Sequence, residues 1–144
     1  MKPKRNFHAK EALKQAKLHS TKNRAAILTL LANEDKPLSQ DQIAGRLGRD
    51  CPNKVTIYRT LESLCRAGLV HKAFVHKRAE HFELADRCTD AQCHPHFTCT
   101  SCGDMHCLTG ISLPMARSPY KGFIIGRQRI QLEGLCPKFN RTCS

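Results

Sequence analysis

Cys99-Thr-Ser-Cys102-Gly103 places two thiols three positions apart with a glycine directly behind them. Thiolates at that spacing close on one tetrahedral ion, and the glycine permits the tight turn beneath it. The same spacing serves redox chemistry in some folds, but the strand–helix–strand pattern found there is missing around this one. A closed site takes two more ligands. Cys136, just after Gly134-Leu135, supplies the third, and Cys143 is the candidate for the fourth. Structural zinc is the chemistry that this set fits best. His94 and His96 form a second constellation. On a strand, residues two apart share a face, so both imidazoles point one way and Cys99, of opposite parity, points the other. Two separate clusters are expected. Cys88, Cys93 and Cys107 are the nearest candidates to complete the histidine site, with His76 and His81 next. Sulfur mixed with imidazole suits Zn²⁺ better than Fe²⁺ or Mn²⁺, which draw more oxygen ligands, although either of these could serve in a regulatory site. Cys51 and Cys65 read as loop and core residues, and His8, His19, His71 and His106 as solvated or partly packed.

The composition says what such sites would serve. The chain has 144 residues, with 24 Lys+Arg against 12 Asp+Glu, a net charge of +12. A balance that basic on so short a chain points to a polyanion partner. The charge is uneven: residues 1–85 hold 17 basic and 8 acidic residues, whereas residues 86–144 hold 7 and 4. Seven of the nine cysteines lie at or beyond Cys88, so a basic half precedes a ligand-rich half. Aromatics are only 6% with no Trp, which argues against a stacking platform for single strands. No stretch approaches the roughly 18 apolar residues of a membrane span, and no apolar segment follows the basic N-terminus. A membrane protein, a secreted disulfide knot and a disordered tail are excluded. A cytoplasmic protein is expected, and its odd number of cysteines reads as metal or thiol chemistry before disulfides.

Phe7, Ala9, Ala12, Leu13 and Ala16 outline a first helix, and Ile27, Leu28, Leu30 and Leu31 a second. Ser39 and Gln42 make a capping box that opens a third. A fourth runs from about Lys54 to Ala67 and stops at Gly68. On it Ile57, Leu61 and Leu64 fall within about 60° of one another, while Val55, Arg59, Glu62 and Arg66 lie opposite with Tyr58 and Ser63 flanking. An apolar back and an Arg/Tyr/Ser front suit a helix lying in a major groove. The third and fourth helices then form a helix-turn-helix. The β-rich runs Leu69–Val75 and Glu80–Leu84 flank the basic tip His76-Lys77-Arg78, a wing suited to phosphate or minor-groove contact. The fold class is therefore α+β: a winged-helix DNA-binding domain at 1–85, a hinge at 86–93, and a small α/β metal-binding domain at 94–144. In that last domain strands are expected at Phe97–Cys99, Met105–Leu108, Phe123–Ile125 and Ile130–Gly134, around a short helix near Ile111–Arg117.

Val55-Thr-Ile-Tyr58-Arg59-Thr-Leu61 with Gly68-Leu-Val70, then Phe82-Glu-Leu84, His94-Pro-His96-Phe-Thr-Cys99-Thr-Ser-Cys102-Gly103 and Gly134-Leu-Cys136, resembles the ferric uptake regulator family over roughly residues 10–139. The resemblance implies a homodimeric, metal-sensing transcription factor whose second domain is the dimerisation domain. It implies that Tyr58 and Arg59 read and grip DNA, with Arg24 a further candidate; Thr56 on the same helix and Lys77 at the wing tip are the other candidate contacts. Cys99, Cys102 and Cys136 would hold structural zinc, and His94 and His96 would belong to the sensor site. The family's second CxxC would end at position 139, where this chain has Phe139. Either Cys143 substitutes, or the site has three ligands and a water. Cysteines at 88, 93 and 107 look more like the zinc-uptake-regulator branch than like iron- or peroxide-sensing members.

The expected function is repression of metal-uptake genes when zinc is abundant. Metal held by ligands from the hinge and the second domain would set two winged helices for a palindromic duplex operator with half-sites about one turn apart. Two competitors exist. A thiol or peroxide sensor on the same scaffold would use Cys88, Cys93 or Cys107. A zinc deaminase would use His81-Phe-Glu83 with Cys99 and Cys102, but Thr98 stands where that motif has proline. The expectation is a regulator and not an enzyme.

Overall fold

The computed structural model describes residues 6–85, 94–108, 111, 113–117 and 121–140. The chain divides into two compact units, Met1–Asp86 and Arg87–Ser144. The first unit runs α1 (Ala9–Gln15), α2 (Lys22–Asn33), β1 (Leu38–Ser39), α3 (Gln40–Leu47), α4 (Lys54–Arg66), β2 (Val70–His76) and β3 (Ala79–Leu84), with a 3-10 turn at Gly48–Asp50.

Helices α2, α3 and α4 each start on a residue whose side chain answers an orphan backbone N–H, whereas His8 before α1 makes no side-chain cap. Thr21 accepts from the Arg24 N–H, and Asn53 accepts from the Thr56 N–H at 2.8 Å. Ser39 and Gln42 form the expected reciprocal box, at 3.2 and 2.9 Å. At the end of α4 the Leu69 N–H reaches the Leu64 carbonyl and the Gly68 N–H reaches that of Cys65, a Schellman closure that needs the left-handed φ of +74° at Gly68. Leu13, Ile27, Leu28, Leu31, Ile43, Ile57, Leu61, Leu64 and Leu84 are all 2% exposed or less and form one core.

β2 and β3 are antiparallel, with a bulge between Lys72 and Phe74. The strand β1, too short to show an alternating pattern in sequence, pairs Leu38 with Phe82 and Ser39 with His81, so the sheet order is β1-β3-β2. Helices carrying a three-stranded wing sheet make this a winged helix.

The second unit contains β4 (His96–Cys99), β5 (Met105–Cys107) and β6 (Gln131–Gly134) in the order β5-β4-β6. β5 is antiparallel and β6 parallel to β4. None of the described residues in the stretch 111–117 is helical. Pro114 removes a helix N–H, and the Gln128 side chain instead takes up this loop's backbone, accepting from the Ala116 N–H at 2.6 Å and donating to the Pro114 carbonyl at 3.0 Å. Phe123–Ile125 is not a strand either, and all three side chains are exposed. Among the described residues, no helix is long and apolar enough to cross a membrane.

Candidate metal centres and nucleic-acid face

The thiol centre is built where β4 and β6 end together, Cys99 opposite Gly134. The Thr100 N–H and hydroxyl both donate to the Gly134 carbonyl, at 2.8 and 3.2 Å. Gly134 lies in close approach to β4: a Cβ there would meet the Phe97 ring at 3.3 Å, so the ring would have to give by a few tenths of an ångström. That approach delivers Cys136 beside Cys99, and the Cys136 N–H donates to the Cys99 sulfur at 3.4 Å. Gly103, at φ +74°, turns the chain so that its own N–H reaches the Cys99 carbonyl at 2.9 Å, and Cys102 swings back over the site.

The sulfurs of Cys99, Cys102 and Cys136 lie within 4.8 Å of one another, with Cys102 and Cys136 at 3.8 Å. Zinc–thiolate bonds of about 2.3 Å at tetrahedral angles put sulfurs about 3.8 Å apart, so the donor set fits that ion. The backbone N–H groups of Cys102 and Cys136 hold the Cys99 thiol down at about 6, against an ordinary 9.0. At Cys102 the Asp104 backbone N–H acts in the same direction, but burial and the neighbouring thiols of Cys99 and Cys136 outweigh it and push this thiol up. Phe139 occupies the turn after Cys136, its N–H on the Cys136 carbonyl, and offers no ligand atom. Cys143 lies outside the described residues.

The second centre is built on the β4–β5 pair. His96 sits directly opposite Cys107, and the His94 and His96 rings are 4.6 Å apart. The ligand atoms of His94, His96 and Cys107 all fall within 4.8 Å of one another. His96 is buried, and His94 and Cys107 are half-buried. Two imidazoles and a thiol are thus gathered apart from the three-thiol set. Cys88 and Cys93 lie outside the described residues, as does the expected hinge. His81 packs on Phe74 at 4.8 Å with Nδ1 at 3.0 Å from the Ala79 carbonyl, and His76 meets its edge, so both have local roles in the wing. Burial lowers the pKa of His81. Cys51 and Cys65 are half-buried beside the core, and burial raises the Cys65 thiol. The carboxylate of Glu83 lies 2.7 Å from His71 Nε2.

The candidate nucleic-acid face is the outer side of α4 and the wing tip. Tyr58, at 48% exposure, and Arg59 point outward, as does Val55. Thr56 is half-buried and its carbonyl accepts from the Thr60 hydroxyl. Lys77 is exposed, and Lys77 and Arg78 both have left-handed φ, +48° and +65°. A groove lined by Gln40, Lys54, Tyr58, Arg78 and Glu80 runs from α4 to the wing. Arg24 is placed differently from the outward residues. Its guanidinium donates to the His19 carbonyl at 2.8 Å and to the Ser63 hydroxyl at 3.0 Å, fastening the start of α2 to α4.

Sequence reasoning passed over one partner on this face. Tyr58 donates to Glu62 at 2.9 Å, and the signal was their four-residue spacing on one helix. The Arg24–Ser63 bond joins residues 39 apart and left no local sign.

The sequence profile of the ferric uptake regulator family matches residues 15–113. The transcriptional regulator FurA of Mycobacterium tuberculosis is 30% identical over 132 residues, covering 88% of this chain and 86% of that one. The crystal structure of the Vibrio cholerae ferric uptake regulator superimposes with a TM-score of 0.64 at 22% identity, covering 90% of this chain and all of that one. A zinc uptake regulator complexed with zinc and DNA superimposes at 0.55 with 21% identity, covering 90% and 89%.

Proposed function

The chain belongs to the ferric uptake regulator family of transcriptional regulators, and on that premise we propose that it is a zinc-responsive repressor acting as a homodimer on a palindromic duplex operator. A deaminase reading does not survive that membership. The observation that carries the proposal is the pair of separate donor clusters in the second unit, one of three thiols and one of two imidazoles with a thiol. A three-thiol set suits a tightly held structural zinc. The mixed set, with fewer thiolates, suits an ion that exchanges, and its sulfur favours zinc over Fe²⁺ or Mn²⁺. A relative of the same fold is held with both zinc and DNA. The basic first unit, with Tyr58 and Arg59 on the outer face of α4 and Lys77 on the wing, supplies the phosphate and groove contacts. The exposed Phe123, Ile124 and Ile125 supply an apolar surface for a second copy. Arg24 acts by bracing α4.

Elemental analysis before and after mild chelation tests this. Two zincs per protomer falling to one are expected, with duplex affinity lost and then restored by zinc at lower free concentration than Fe²⁺ or Mn²⁺. The reading fails if Cys107→Ser combined with His96→Ala leaves the metal dependence of DNA binding unchanged. One zinc throughout, with peroxide abolishing DNA binding at constant metal, would make the chain a thiol sensor.

A further inference from the structure

Val55, Arg59, Glu62 and Arg66 recur at helical spacing on the side of α4 away from the buried Ile57, Leu61 and Leu64. The acid in that stripe is out of keeping with its surroundings. The half of the chain that carries it has 17 basic residues against 8 acidic, and a duplex surface repels carboxylates. Both of its oxygens are engaged: Oε1 accepts from the Tyr58 hydroxyl at 2.9 Å, and Oε2 lies 3.8 Å from Arg66 Nη2. Pairs of this kind stabilise an exposed helix little, so stability alone does not account for an acid here.

The geometry has a consequence for what the helix can read. The single phenolic hydrogen of Tyr58 is directed at Glu62, so the tyrosine oxygen presents only lone pairs outward. The carboxylate keeps lone pairs of its own. Tyr58 and Glu62 together therefore make an acceptor edge between two arginines. In the major groove, acceptors are met by the exocyclic amines of cytosine and adenine. Adenine sets its N7 acceptor beside that amine, which opposes a carboxylate, whereas cytosine sets none. We infer that Glu62 is a specificity-determining residue of the recognition helix, taking a cytosine amine in the major groove with Tyr58 held beside it. The inference rests on the DNA-binding reading above.

The test is selection from a pool of randomised duplexes by the zinc-loaded full chain, run in parallel with Glu62→Gln and Glu62→Ala. Glutamine keeps an acceptor for Tyr58 but adds an amide donor that pairs with adenine. The wild type is expected to fix one C·G pair in each half-site, and inverting that pair weakens binding about tenfold. Glu62→Gln should place A·T at the same position, Glu62→Ala should show no preference there, and the rest of the motif should stay. Identical motifs from all three proteins would overturn the inference and leave the DNA-binding reading standing. No enrichment by the zinc-loaded wild type would overturn both.

Discussion

Cys99 receives backbone N–H groups from Cys102 and Cys136, which stabilise its thiolate and bring its pKa to about 6. In the reduced, metal-free protein it is therefore expected to be ionised at neutral pH. The ultraviolet absorbance of one thiolate should appear as pH rises through about 6, and Cys99→Ser should remove that step. The sign for stability follows. A depressed pKa means that the unfolded chain binds the extra proton between about 6 and 9, so metal-free stability should rise with pH across that window and be lost as pH falls through 6. A flat stability profile across it, measured by thermal melts, would show that the backbone donors do not act on Cys99. The membership of this centre was legible because a CxxC with a glycine behind it is a local pattern. The closeness of Cys136 was legible only in outline, since it depends on Gly134 meeting Phe97 across the β4–β6 pair. The Tyr58–Glu62 bond lay in plain view at i,i+4 and was passed over because a charged helix face reads as solvated.

Among elements, those whose ends are fixed by local chemistry were the ones the sequence declared. The Ser39/Gln42 box and the Gly68 closure appear where the residue types put them. In the stretch 111–117 Pro114 does more than limit the expected short helix, since none of the described residues there is helical, and the apolar run Phe123–Ile125 does not reveal whether a partner strand exists. Two turns also run against residue type. At the end of α1, Lys17 takes φ +56° where a glycine is the usual choice, while Leu18 closes on Leu13. Lys17→Gly is expected to raise stability by about 0.5–1 kcal/mol in denaturant melts. At the wing tip, Lys77 and Arg78 adopt consecutive left-handed conformations in a two-residue hairpin loop, where Asn-Gly would be relaxed. Strained cations at an exposed tip make sense if they meet phosphate. Lys77→Asn with Arg78→Gly should therefore stabilise the first unit by about 1–2 kcal/mol and at the same time weaken duplex binding, lowering the salt-dependence slope by about two. A stabilised variant with unchanged affinity and slope would remove the wing from the DNA interface.

At the scale of the whole molecule, the second unit leaves its apolar residues outside. Ile124 is 94% exposed and Phe123 70%, with Ile125 and Leu135 also exposed. An apolar run of that kind on a small β-rich unit is a surface on which the proposed second copy, which also brings a second winged helix, would pair. Dimerisation then links two weak half-site contacts, and linkage of this kind multiplies affinity by roughly 10²–10⁴ without any new contact to the duplex. Phe123→Asp with Ile124→Asp is therefore expected to yield a monomer by sedimentation equilibrium. Its affinity for a two-half-site duplex should fall by about 100-fold or more, and its salt-dependence slope should drop to about half. The zinc content should not change, because Cys99, Cys102, Cys136, His94, His96 and Cys107 are untouched and hold their ligand atoms within a single chain. The three readouts separate the causes of a failure. Loss of zinc along with the dimer would mean that the charges had disturbed the β4–β6 platform, and then a milder change at Ile124 alone decides the matter. A variant that remains dimeric with its zinc intact would show that the pairing surface lies elsewhere on the chain.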